Sequence, residues 1–394
     1  MKINIASNEI IHFIGIGGIG MSGLAQIMNN MGFTIQGSDL SQNKNTERLT
    51  KEGIKVYFGH NQKNLDKTTM VVISSAIKKN NKELVAAKQK KLPVFKRGEM
   101  LANIVALKKN IVVTGSHGKT TTTSLVANIL VEAGLDPTVI NGGVINSLKN
   151  NAQLGKGEWA VIESDESDGS FLKLPITYSI VTNVDKEHLD FYGGFEKLKK
   201  SFSSFIEKTP SFGKSLVCID DNNLKSLLIK CKTRNFLTYG FHKNSNYQIT
   251  NVRKKINLSI FDLKIKIPSK KNSTIKDIVV NLIGDHNIRN TTASIAIALN
   301  LGIKIVKIKK ALKKFLGIQR RFTKVFTIKK REFYDDYAHH PTEIKAVINS
   351  ARQVYKERKI ICVFQPHRYS RVKFLKNEFA SSFKSSDAVV LCPV

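Results

Sequence analysis

The chain has 394 residues, 41% hydrophobic and 24% charged, with Lys+Arg 63 against Asp+Glu 31 for a net charge of +32. That length suits two or three domains with real cores, and the composition excludes a disordered chain. No apolar run is long enough to span a bilayer, and the amino-terminal stretch reads as a strand entering a glycine turn, not a signal peptide, so a cytoplasmic, non-membrane protein is expected.

The first segment, Glu9–Ile104, opens with a strand over Ile10–Ile14, then Gly15-Ile16-Gly17-Gly18-Ile19-Gly20 and a helix over Met21–Met31. Gly15, Gly17 and Gly20 occupy the positions of a G-x-G-x-x-G fingerprint, in which glycines let the backbone approach a pyrophosphate at a helix N-terminus. The next strand, Thr34–Gly37, ends at Ser38-Asp39, where an acidic residue suits a ribose hydroxyl. This pattern implies a nucleotide diphosphate and leaves NAD and a UDP-sugar both open. A further strand, Met70–Ser74, ends at Ser74-Ser75-Ala76, a second phosphate or base position at the sheet's carboxyl edge.

The second segment runs from about Leu107 to Gly317. A β-branched strand, Ile111–Thr114, enters Gly115-Ser116-His117-Gly118-Lys119-Thr120, with Lys119 and Thr120 opening a helix. The spacing G-x-x-G-K-T is tighter than the usual P-loop, but its order serves a triphosphate: glycine amides turn on phosphate oxygens, the lysine reaches the terminal phosphates and the threonine hydroxyl ligates Mg²⁺. The strand Ala160–Glu163 runs into Glu163-Ser164-Asp165-Glu166-Ser167-Asp168, whose four carboxylates repel one another unless cations hold them. A strand over Ser179–Thr182 leads to Thr182-Asn183-Val184-Asp185-Lys186-Glu187-His188, where His188 is placed as a second metal ligand. Gly284-Asp285-His286-Asn287-Ile288-Arg289-Asn290 then opens a core-facing helix whose polar start suits adenine. The Lys/Asn-rich stretch 264–276 reads as a surface hairpin.

The third segment begins near Arg320-Arg321-Phe322. Strands over Glu332–Tyr337 and Lys359–Phe364 are expected in one βαβ unit, each ending in a polar cluster: Ala338-His339-His340-Pro341-Thr342-Glu343, with proline in the first turn of a helix, and Gln365-Pro366-His367-Arg368-Tyr369-Ser370-Arg371. Arg368 and Arg371 suit bidentate capture of a carboxylate. The lysines are dispersed and not interleaved with aromatics, so no specific nucleic-acid partner is expected and anionic small substrates fit the charge better. Cys218, Cys231, Cys362 and Cys392 lie far apart and read as buried thiols in a reducing compartment.

In this order, HFIGIGGIGMSGLA, GSD, TGSHGKTTTTS, ESDESDGSF, TNVDKEHLDFYG, GDHNIRN, RRF, DDYAHHPTE and FQPHRYSR resemble the Mur ligases over essentially the whole chain. The resemblance implies an α/β, three-domain architecture: a Rossmann-like UDP-substrate domain over 1–106, a central P-loop ATPase domain over 107–317, and a Rossmann-like amino-acid-binding domain over 318–394. Because members of the family continue past the equivalent of Val394, the third domain is expected to be cut short, and a fragment that binds nucleotides better than it turns over is one alternative. Within the family the motifs are most similar to ligases that join L-alanine to the lactyl carboxylate of UDP-N-acetylmuramate, using ATP and Mg²⁺ through an acyl phosphate. The other alternative, the murein-peptide recycling ligases, shares the P-loop and metal motifs but typically differs at Gly18-Ile19-Gly20 and lacks the cluster His367–Arg371.

What the resemblance implies for the site is specific. Gly15, Gly17, Gly18, Gly20, Ser38, Asp39 and Ser75 would hold UDP. Gly115, Ser116, His117, Gly118, Lys119, Thr120 and Thr121 would form the phosphate loop, with Thr120, Glu163 and His188 at the metal. His286 and Asn287 would contact adenosine, Arg321 the phosphates and Asp336 the ribose. Tyr337, His339, Arg368 and Arg371 would line the alanine pocket, with His367 close to the muramate. Lys119, His188 and Arg321 carry the catalytic roles.

Overall fold

The computed structural model describes residues 9–146, 150–268, 271–367 and 369–393. The first unit alternates β1 (Ile10–Ile14), α1 (Ile19–Asn30), β2 (Thr34–Asp39), α2 (Lys44–Lys51), β3 (Lys55–Phe58), β4 (Met70–Ile73), α3 (Lys82–Gln89), β5 (Val94–Lys96) and α4 (Arg97–Val105). Its strands form a parallel sheet in the order β3-β2-β1-β4-β5, with Ile14 level with Ser38 and Ile73. Ile11, Phe13 and Ile14 are all buried, as a strand covered by helices on both faces requires. Order reverses at β1, so the crevice beyond its carboxyl end is a topological switch point, and Gly15–Gly20 occupies it.

The second unit holds β6 (Lys109–Thr114), α5 (Lys119–Glu132), β7 (Thr138–Ile145), β8 (Asn150–Gln153), β9 (Trp159–Glu163), β10 (Tyr178–Val181), α6 (Leu189–Tyr192), α7 (Phe195–Glu207), β11 (Ser215–Cys218), α8 (Asn222–Lys230), β12 (Phe236–Gly240), β13 (Tyr247–Lys255), β14 (Leu258–Ile265), β15 (Ser273–Val280), α9 (Asp285–Asn300) and α10 (Ile305–Lys314). These strands make one sheet, β15-β14-β13-β12-β11-β10-β6-β9-β7-β8, with β6 parallel to both β9 and β10. The expected surface hairpin is β14–β15, whose residues 269–270 lie outside the described residues. Helix α9 is buried nearly all round its Ala293–Ala298 run, because it packs between α5 and the sheet. Helix α7 buries only one stripe, Leu198, Phe202, Phe205 and Ile206, and Phe171 stacks on Phe205 at 5.2 Å.

One continuous core joins the first two units. Their seam is polar where α1 meets β8: Asn151 donates to the Ile19 carbonyl (2.8 Å) and accepts from Arg48 (2.9 Å), while Asn150 donates to Gln26 (2.9 Å). The third unit has its own small core of Ile344, Ile348, Phe364, Leu375 and Phe379. It contains β16 (Thr323–Ile328), β17 (Arg331–Asp335), α11 (Pro341–Val354), β18 (Ile361–Phe364), α12 (Tyr369–Phe374), α13 (Lys376–Ser382) and β19 (Ala388–Leu391). The expected pairing of the strands around α11 does not form. β17 pairs back antiparallel on β16, and β18 pairs with β19 across α12 and α13. Among the cysteines only Cys218 and Cys231 are buried; Cys362 and Cys392 are half-exposed. No described helix is long and apolar enough to cross a membrane.

Beneath the first sheet's carboxyl edge lies a buried polar knot. Glu83 accepts from Ser38 Oγ (2.5 Å) and Asn64 Nδ2 (2.6 Å), with His60 Nδ1 at 3.0 Å and His12 Nε2 at 3.5 Å. Burial opposes its charge, but the neighbouring His12 and the hydrogen bonds from Ser38 and Asn64 win and hold the carboxyl at about 2. A depressed carboxyl stabilises the fold above its unfolded value of 4.5, and that contribution is lost as pH falls toward about 2. Glu83→Gln is expected to destabilise the protein by about 3 kcal/mol at pH 7, the cost of breaking a buried charged network. Urea unfolding checks this, and the difference from wild type should shrink on acidification through that window.

Candidate active site

At the carboxyl end of β6, the chain turns through Gly115 and Gly118 into α5, between the ends of β9 and β10. Gly118 has φ 82°, and a Cβ there would sit 2.7 Å from Asn290 Oδ1, so both conformation and space require glycine. The amides that open α5 lack intrahelical acceptors, as at any helix start. The amides of Ser116 and His117, before the helix, are spent on Asn183, bonding its carbonyl (3.1 Å) and its Oδ1 (2.8 Å). The amides from Gly118 onward are the ones that face outward at the helix start.

Lys119 Nζ folds over this turn, donating to the carbonyls of Gly115 (2.6 Å) and Ser116 (3.3 Å) and pairing with Glu166 at 2.8 Å. Burial works against its charge, but Glu166, Asp165 and Glu163 outweigh it and hold the ammonium protonated beyond the usual lysine range. Thr120 Oγ1 donates to Glu163 Oε1 (3.1 Å), and the other oxygen of Glu163 accepts from the Gly142 amide (2.6 Å). His188 caps α6 in the left-handed conformation (φ 55°), its Nε2 4.0 Å from Glu166 and 3.9 Å from Glu187. The residues expected at a metal thus fall into two groups: Thr120 with Glu163, and His188 with Asp165 and Glu166, whose ligand atoms lie within 4.8 Å of one another.

Beside the turn a cavity of about 320 Å³ opens between the second and third units. His117, Gly118, Thr121, His286, Asn287, Arg321 and Asp336 line it, together with Asp220, Arg289 and Asn290. Asp336 accepts from the amides of Phe322 and Ala338 (2.7 Å each); burial pushes its carboxyl up while Arg321 pulls the other way. His286 is pushed down to about 4 by burial, with the Arg289 and Arg321 charges adding to it, so its ring is neutral. Tyr337, His339 and His367 form one cluster: His339 lies 5.0 Å from the Tyr337 ring and 6.3 Å from the His367 ring. Arg371 reaches across the seam to Glu187 (3.3 Å). Arg368 lies outside the described residues.

In the first unit, Gly17 donates its amide to Asp39 Oδ2 (2.7 Å), and a Cβ on Gly17 would come within 2.8 Å of that oxygen. Gly15, Gly18, Gly20 and Asp39 surround the mouth of the switch-point crevice, and Ser75 is exposed at the end of β4. The side chain of Ser38 is fully buried and its hydroxyl bonds Glu83, while its carbonyl accepts the amides of Gly15 and Ile16 at the turn.

Three family models match most of the chain in order: Mur ligase family, catalytic domain, over residues 10–109; Mur ligase middle domain over 113–298; and Mur ligase, glutamate ligase domain, over 320–393. A UDP-N-acetylmuramate–L-alanine ligase of Pelagibacter ubique is 60% identical over 394 residues, 100% of this chain and 85% of that protein. The chain belongs to the Mur ligase family. An enzyme of the same description from Agrobacterium fabrum is 47% identical over 98% of this chain and 82% of its own length. Among solved structures, the UDP-N-acetylmuramate-alanine ligase of Thermotoga maritima superposes with TM-score 0.83 at 29% identity, over 98% of this chain and 85% of that one. A murein peptide ligase of Psychrobacter arcticus shares the fold at TM-score 0.78 and 23% identity, over 97% and 84%.

Sequence reasoning about this Mur ligase missed the partners of its cations. Glu166 holds Lys119, Asp220 pairs with Arg289 at 2.7 Å on the cavity wall, and Glu343, read only as the start of a helix, reaches His117 at 3.2 Å. Only Glu166 carried a signal, as one of the crowded carboxylates after β9. The neutral state of His286 is open to measurement. Its ring should titrate near 4 by NMR, giving stability that is present above the ordinary value of 6.5 and lost as pH falls through about 4; a midpoint near 6.5 would contradict the buried, cation-flanked environment.

Proposed function

We propose that the chain joins L-alanine to the lactyl carboxylate of UDP-N-acetylmuramate, using ATP and releasing ADP and phosphate. The observation that carries this reading is the juxtaposition of a lysine-bearing phosphate turn with the third unit's Tyr337, His339 and Arg371. That juxtaposition suits phosphoryl transfer beside groups able to hold an amino acid's carboxylate. The full-length relatives that carry this activity in their names support the same substrates.

In the first step a lactyl carboxylate oxygen attacks the γ-phosphorus, the bond to the bridging oxygen breaks, and ADP leaves an acyl phosphate. Two anions meet, so Lys119 and Arg321 would neutralise the transferring group. Thr120 and Glu163 offer hard oxygen donors 3.1 Å apart that suit Mg²⁺, and Gly142 leaves clear the space where Glu163 sits, its Cβ position being 2.6 Å from Oε1. Bound there and toward His188, Mg²⁺ would supply further charge neutralisation on the phosphates. In the second step the deprotonated amine of alanine attacks the acyl carbon and phosphate departs. Arg371 would hold the alanine carboxylate, the neutral His286 and Asn287 the adenosine, Asp336 its ribose, and Gly15–Gly20 with Asp39 and Ser75 the UDP.

Phosphate release from ATP should require both UDP-N-acetylmuramate and L-alanine; release independent of alanine would overturn the reading. Lys119→Ala should lower kcat by at least about 100-fold, as for loss of a preorganised charge on a transferring group, with an unchanged far-UV circular dichroism spectrum. Near-normal turnover in that variant would remove Lys119 from the chemistry.

A further inference from the structure

The side chain of His117 points away from the phosphate turn and into the seam with the third unit. Its main chain is fully committed to the second unit: the amide donates to Asn183 Oδ1 (2.8 Å), and the carbonyl accepts from Thr182 Oγ1 (2.6 Å) and Asn183 Nδ2 (3.0 Å). Its ring is committed elsewhere. Nε2 lies 3.0 Å from Asp185 Oδ2, Nδ1 lies 3.2 Å from Glu343 Oε1, and the ring packs on that of His340 at 4.7 Å.

Two carboxylates facing the two ring nitrogens can both be satisfied only by an imidazolium, which donates from each. Burial alone would lower the proton affinity of the ring, but the hydrogen bonds to Asp185 and Glu343 push it up to about 10. The same carboxylates carry the start of α11. Glu343 Oε2 accepts the amides of His339 (3.1 Å) and His340 (3.3 Å), closing a capping box, and Thr342 Oγ1 donates to Asp185 Oδ2 (2.7 Å). The segment so fixed begins directly after Asp336, Tyr337 and His339. A residue of the phosphate turn therefore grips the rigid end of the element that follows the amino-acid pocket.

We infer that His117 is a positioning residue, which holds the amino-acid-binding end of α11 in register with the phosphate turn through paired hydrogen bonds to Asp185 and Glu343. This rests on the ligase reading for its substrates, though not for its geometry. The gap between amine and acyl carbon is set across this seam, and a misplacement of about 1 Å costs on the order of 100-fold in rate.

The test is a cycle of His117→Gln, Glu343→Gln and the double variant, each made in the full chain; glutamine at 343 keeps an oxygen to cap α11. Each single variant should lower kcat and raise KM for alanine, 10- to 100-fold together in kcat/KM, a larger loss than any in the dissociation constant for ATP. The double variant should be little worse than either single, as partners in one interaction behave. Weakened ATP binding with an unchanged KM for alanine, or fully additive losses, would overturn the inference. A substrate-free readout separates it from the ligase reading. Small-angle scattering should give a larger radius of gyration for each variant than for wild type. An unchanged radius with uncoupled thermal unfolding would overturn the positioning role whatever the wild type does with alanine; expansion in the variants beside a wild type that releases no alanine-dependent phosphate would sustain the role and reject the reaction.

Discussion

The arrangement depends on charge balance around one buried turn. In a chain of net charge +32, the carboxylates of Glu163, Asp165, Glu166, Asp185 and Glu343 gather around the end of β6. Glu166 is buried and the other four are at least partly exposed, and the buried or crowded anions among them draw answering donors. Lys119 answers Glu166, the Thr120 hydroxyl and the Gly142 amide answer Glu163, and His117 answers Asp185 and Glu343 together. The three protons of Lys119 are all spent, on two carbonyls and Glu166. Any further anion brought to the turn would have to exchange partners with the lysine. The acidic cluster and the glycine turn form a single electrostatic unit.

Sheet topology explains why these groups meet. β6 lies between β9 and β10, all parallel, so the loops after the three strands open on one edge at a switch point. The first unit repeats the arrangement at β1, between β2 and β4. Packing of α1 against β7 and β8, with Asn151 bonded to both Ile19 and Arg48, ties the two sheets through one core. Two glycine-lined crevices thereby share one core, and the third unit has a separate small one.

What could be read in the sequence was mostly backbone. Glycine spacing encodes turns directly, so both glycine turns and the helices after them were legible, as was the proline-led start of α11. Side-chain direction was not. Ser38 sits on a strand buried on both faces, where alternation carries no information, and it turns toward Glu83, 45 positions away in sequence. The pairing of β17 with β16 was equally hidden: their hairpin turns on Lys329 and Lys330, at φ 47° and 64°, where Asn-Gly is the usual signal. The partners of His117 and Arg371 belong to contacts across the seam, which no local pattern records.

Two kinds of contact cross that seam, and they rest on different physics. Backbone contacts fix the strap that leads into the third unit: Ile145 bridges Ile318, and Gln319 donates to the Val144 carbonyl at 3.2 Å. Side-chain contacts, among them the ionic pairs of His117 with Glu343 and of Glu187 with Arg371, hold the starts of α11 and α12 against the second unit. A backbone hydrogen bond carries no net charge, whereas an ion pair depends on each partner staying charged and is weakened by screening, so the strap and the ionic contacts differ in their sensitivity to salt and pH.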